Sequence, residues 1–149
     1  MAIGVMLVGA VGVWWYVRSE QPPPCVAGLR VDGFEETHRW YDGVEDVSRT
    51  YLVGPVGVDP IQAFHLHQVK LRDSPQLGSY GAYDAVASGY QPEGVTPSAS
   101  VVVYRLGKAA ELRGDRRKLV FERADLSDAQ RAAVQNGTAT ILLVQVLCA

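Results

Sequence analysis

Residues 2–17 carry no ionisable side chain other than Tyr16, and an uncharged apolar run of that length restricts what this end of the chain can become. A helix through it is about 24 Å long at ~1.5 Å per residue, short of the ~30 Å hydrocarbon core of a bilayer. The flank extends it. Trp14, Trp15 and Tyr16 are amphipathic rings of the kind that settle at lipid headgroups, and Arg18 follows with a side chain long enough to snorkel into the interface. A secretory signal needs a basic leader and a small-x-small cleavage site, and the sequence shows neither. The prolines at 22, 23 and 24 are likewise unlike the small residues that precede a lipid-bearing cysteine. The pattern therefore predicts an uncleaved single transmembrane helix over residues 1–18. A stiff proline-rich stalk over 19–27 follows, rising about 3.1 Å per residue where it is polyproline II. The remaining residues, 28–149, are enough for one small domain and too few for two cores.

Charge excludes one class of partner. The net charge of -2 and pI near 5.9 do not suit a nucleic-acid binder, which carries a basic face. The balance conceals a segregation. From 32 to 59 the acids Asp32, Glu35, Glu36, Asp42, Glu45, Asp46 and Asp59 face only Arg39 and Arg49. From 101 to 131 the bases Arg105, Lys108, Arg113, Arg116, Arg117, Lys118, Arg123 and Arg131 outnumber Glu111, Asp115, Glu122, Asp125 and Asp128. Either the two runs attract each other inside the fold or they present faces of opposite sign.

The domain reads as α+β, with a mostly antiparallel sheet and one or two short helices. "THRWY" and "VEDVSRTYLV" predict two strands about a type I′ turn at Asp42 and Gly43. Asp59 and Pro60 suit the start of a helix, yet the apolar positions that follow favour a strand from about Phe64. The glycine- and tyrosine-rich stretch from 78 to 98 predicts mostly loop, with at most a short helix over 83–87. "SVVVYRL" and "RKLVFER" predict strands joined by a charged connection. Ser127 and Asp128 open a helix that Asn136 and Gly137 close. "TATILLVQVL" predicts a central, buried last strand.

Few constellations point to chemistry. Cys25 and Cys148 stand at opposite ends of the domain: bonded, they would staple it in an oxidising compartment, and free, they are ordinary buried thiols. His65 and His67 would share one face of a strand and suit zinc or copper, with His38 as a third ligand if folding brings it near. Neither a G-x-S-x-G elbow nor a phosphate-binding glycine motif occurs, and the acids show no paired spacing. No cofactor and no small-molecule substrate is therefore expected. Tyr80, Tyr83 and Tyr90, amid glycine and proline, are the best candidates for a contact surface with a partner.

These readings converge on a non-catalytic, single-pass accessory subunit. Its helix would dock against other membrane helices, and its domain, on the extracytoplasmic side, would pack on a larger membrane complex. The alternative is an anchored ligand- or metal-binding domain using His65 and His67.

Overall fold

The computed structural model describes residues 23–92, 98–108 and 111–148. The expected anchor and its interface residues Trp14, Trp15, Tyr16 and Arg18 lie outside the described residues. Among those that are described, no helix is long and apolar enough to cross a membrane.

The chain is α+β, built on a curled antiparallel sheet with few helices. Its strands are β1 (Arg30–Val31), β2 (Glu35–Asp42), β3 (Val47–Pro55), β4 (Phe64–His65), β5 (Arg72–Asp73), β6 (Ser79–Tyr80), β7 (Tyr83–Tyr90), β8 (Ala99–Leu106) and β9 (Ala139–Cys148). The helices are α1 (Pro60–Ala63), α2 (Gly114–Arg123) and α3 (Asp128–Gln135). Seven strands form the main sheet in the order β2-β3-β9-β8-β7-β5, with β6 also on the outer edge of β7; β1 and β4 pair separately. As its composition predicts, β9 is central. Ile141, Leu142, Leu143, Val144 and Val146 are fully buried because both faces of this strand are covered.

The two faces have different covers. Leu52, Leu142, Val144, Val146, Val101 and Val103 point to one side, where Cys25, Val26, Leu29, Val31, Phe64, Leu66 and Val69 close over them. Tyr51, Val53, Ile141, Leu143, Tyr83 and Leu106 point to the other, against Leu112, Val120 and Phe121 and, from α3, Val134. Cys25 is disulfide-bonded to Cys148, across a sequence separation of 123 residues and a Cα–Cα distance of 5.9 Å. Pro24–Val26 form a 3-10 turn with Cys25 and Val26 buried in the core. The end of the expected stalk is thus part of the domain.

Several local expectations are corrected. Residues 83–90 are a strand, β7, rather than loop or helix. Its small residues let a loop pass close above: a Cβ on Gly89 would lie 2.5 Å from the carbonyl oxygen of Lys70. "RKLVFER" is helical. As a strand it would put charges on both faces, whereas in α2 the neighbours Val120 and Phe121 turn together onto the sheet. The strand expected from Phe64 stops at His65, and one helical turn precedes it, with the Asp59 carboxylate accepting from the Ile61 amide at 2.9 Å. The hairpin after β2 has four turn residues instead of two. Asp42 Oδ1 accepts from the amides of Val44 and Glu45 and holds that wider turn. The helix signals at Ser127 stand: its hydroxyl accepts from the Gln130 amide, and the Gln130 side chain accepts from the Ser127 amide.

Candidate functional site: an aromatic and arginine cleft on the sheet

Side chains on a sheet alternate, so residues paired across strands share a face. On the helix-covered face, the register places His38, Tyr51, Leu143 and Tyr104 in one row. Trp40, Arg49, Gln145, Val102 and Ser88 follow in the next, and Asp42, Val47, Leu147, Ser100 and Tyr90 in the third. A bulge between Glu36 and His38 decides the first column. Without its extra residue, His38 and Trp40 would turn to the opposite face. The helices pack on the first row. Farther along, Trp40 is 48% exposed, Leu147 47% and Tyr90 68%.

The sheet curls around this face. Arg49 on β3 and Tyr80 on β6 are four strand steps apart, about 19 Å on a flat sheet at ~4.8 Å per step. Even so, the Arg49 guanidinium lies 5.9 Å from the Tyr80 ring centroid and 5.0 Å from that of Trp40. Tyr80 meets Tyr104 at 5.9 Å, Tyr51 meets Tyr83 at 6.2 Å, and His38 stacks on Tyr51 at 6.4 Å. The result is a cleft of about 540 Å³ between the β2–β3 hairpin and α2, lined by His38, Trp40, Arg49, Tyr51, Tyr80 and Arg123, with acids at its rim. A hollow of about 120 Å³ adjoins it beneath Tyr80, closed by Tyr83, Arg116 and Leu119.

The electrostatics favour a charged guanidinium beside neutral phenols. Burial raises the pKa of Tyr51 above 10.0, with Arg123 pulling in the opposite direction. Burial also raises Tyr83 strongly and Tyr104 to a lesser degree. The Tyr83 hydroxyl, Arg49 Nε and Gln145 Nε2 are buried without a partner among the described residues. Arg49 and Gln145 are direct neighbours in the register. Among the described residues, the chemistry this arrangement offers is stacking, cation–π contact and hydrogen-bond donation.

Of the residues singled out from sequence, Tyr80 lines the cleft, Tyr83 is buried beneath it, and Tyr90 stands exposed at the far end of the same face. The histidines are not brought together. His38 is in the cleft, His65 Nε2 lies 2.7 Å from Asp32 Oδ2, and His67 is exposed in a turn past the end of β4. Among the described residues, no group of three or more histidine, cysteine or acidic side chains is arranged to hold a metal ion. Sequence reasoning missed Trp40, Arg49, Tyr104, Arg116 and Arg123. Only the Trp40–Arg49 pairing had a signal, since both flank the expected hairpin.

A larger hollow of about 660 Å³ lies on the opposite face, between residues 56–61 and β7. Its one cation, Arg105, already donates to the Val58 carbonyl at 3.1 Å, and Asp59 and Asp73 flank it. It offers a ligand little that the cleft does not. Comparison with protein-family models, with curated proteins and with solved structures finds no match for the chain.

Proposed function

We propose that the chain is a non-catalytic, single-pass membrane-anchored accessory subunit whose domain docks on a larger membrane assembly through the aromatic and arginine cleft. One observation carries this reading: Trp40, Arg49 and Tyr80 converge on a face that the helices leave half open. Tryptophan, tyrosine and arginine are the side chains that dominate contact energies at protein interfaces, where large rigid rings exclude water around a charged hydrogen-bonding group. The Cys25–Cys148 bond supports an extracytoplasmic position, since disulfides persist in oxidising compartments. The uncharged N-terminal run supports the anchor.

The test is site-specific photo-crosslinking of the intact chain in its native membranes. A photoreactive residue at Tyr80 is expected to capture a membrane-protein partner of defined mass, and the same probe at Gln76, exposed on another part of the surface, is not. Trp40→Ala should reduce the Tyr80 crosslink by about tenfold or more, as for a central interface aromatic. A monodisperse monomer in mild detergent, with equal and diffuse labelling from both positions, would overturn the reading.

A further inference from the structure

The acidic and basic runs meet at the cleft, where Asp42 and Glu45 share its lining with Arg123, but among the described residues they do not pair. The ion pairs among the described residues are Arg30–Asp32, Arg39–Glu36, Arg49–Glu45, His65–Asp32, Lys108–Glu111 and Lys118–Glu122, and none joins the acidic run to the basic one. Four bases of the basic run, Arg116, Arg117, Lys118 and Arg123, lie in α2, and α2 is a wall of the cleft. Arg123 lines the cleft, and Arg116, Leu119 and Arg123, at i, i+3 and i+7, share the stripe that faces the adjoining hollow. Neither arginine has an ion-pair partner among the described residues, and the Arg116 contact with the Gly81 carbonyl is long, at 3.4 Å.

Each acid of the rim has a local partner. Asp42 holds the amides of its own turn, and Glu122 pairs with Lys118 at 3.7 Å. Glu45 reaches Arg49 only at 3.4 Å, from a side chain that is 60% exposed. Arg116 and Arg123 therefore keep guanidinium groups without an ion pair among the described residues beside an aromatic floor, while Arg49 shares its own with the exposed Glu45. A flat bilayer is a poor match for a concave floor whose rings lie between a hairpin and a helix. An extended acidic polypeptide can enter it.

We propose that the cleft and the hollow beside it bind an acidic segment of a partner polypeptide, with its carboxylates on Arg116 and Arg123 and an aromatic or apolar side chain on the Trp40 and Tyr80 rings. The assignment rests on the docking role above and names the chemistry of what docks. Each exposed charge contact is weak by itself, so the preference arises from both arginines acting on one segment.

The probe is a fluorescently labelled random copolymer of glutamate and tyrosine, titrated against the intact chain in uncharged detergent micelles. Saturable binding is expected, weakening as salt rises from about 50 to about 500 mM because exposed charges are screened. Arg116→Ala with Arg123→Ala should weaken it about tenfold. Arg116→Glu with Arg123→Glu should abolish it and create binding to a lysine–tyrosine copolymer. Both arginines are exposed, so the fold does not depend on them. Failure of the unaltered chain to bind the acidic copolymer, or equal binding of the basic one, overturns the proposal. So does loss, by the same substitutions, of binding to phosphatidylglycerol vesicles while the copolymer is ignored, which would reassign the arginines to lipid. The Tyr80 crosslink is read independently of the copolymer, so docking can stand where the acidic preference fails.

Discussion

At the scale of single residues, the fold uses its polar groups locally. His65 was a candidate metal ligand by spacing, but its imidazole lies against Asp32. The hydrogen bond from His65 is the largest influence on Asp32 and holds its carboxyl below the ordinary 3.8, with Arg30 adding to the effect. A depressed carboxyl favours the folded state above the ordinary carboxylate range, and that contribution disappears as pH falls through the lowered pKa. We expect an NMR titration to place Asp32 below 3.8, and His65→Ala to return it most of the way. An unmoved Asp32 titration in that variant would contradict the pairing. The cleft shows the same locality in reverse. Burial disfavours ionisation of the Tyr51 and Tyr104 phenols, and the charge available there comes from the arginines and from the carboxylates at the rim.

At the scale of elements, register explains more than propensity does. The bulge in β2 carries Trp40 onto the cleft face, and the alternation of β3 and β9 then sets Arg49 beside Gln145. In β7 the decisive residue is Gly89. The Lys70 carbonyl passes so close that an added methyl must push loop and strand apart, with Val69 Cγ1 at 3.1 Å as a further obstacle. Gly89→Ala is expected to destabilise the domain by about 1 to 3 kcal/mol, the usual range for forced overpacking. Urea unfolding followed by circular dichroism measures it, and a midpoint equal to that of the unaltered chain would show that the loop yields freely. The helix α2 owes its form to the sheet. Nothing in its string of charges selects helix over strand until Val120 and Phe121 meet Ile141 and Leu143 in one cluster.

At the scale of the molecule, the Cys25–Cys148 bond ties the segment entering the domain to its last and most buried strand. By the chain-entropy model, a loop of this size is worth about 4 to 5 kcal/mol, less any strain. Reduction by dithiothreitol, or Cys25→Ala with Cys148→Ala, should lower the urea midpoint by an amount equivalent to about 4 kcal/mol while leaving the fold recognisable. No difference between oxidised and reduced chains would mean that the sheet needs no staple.

The sequence by itself determined the class, the central position of β9, the capped helix at Ser127, and the segregation of acidic from basic residues. These are legible because each depends on neighbours in the chain: an apolar run, a capping box, a count of charges. Bonding of Cys25 to Cys148 remained one of two alternatives until the fold brought their Cα atoms to 5.9 Å. The tertiary structure alone decided that Tyr83 is covered while Tyr80 lines a cleft, and that Trp40 and Arg49 join it. It also decided that "RKLVFER" is a helix and residues 83–90 a strand. The physical reason is common to all of these. Pairing register, sheet curl and the close pass of one backbone over another are fixed by residues far apart in the chain, and local spacing carries no record of them.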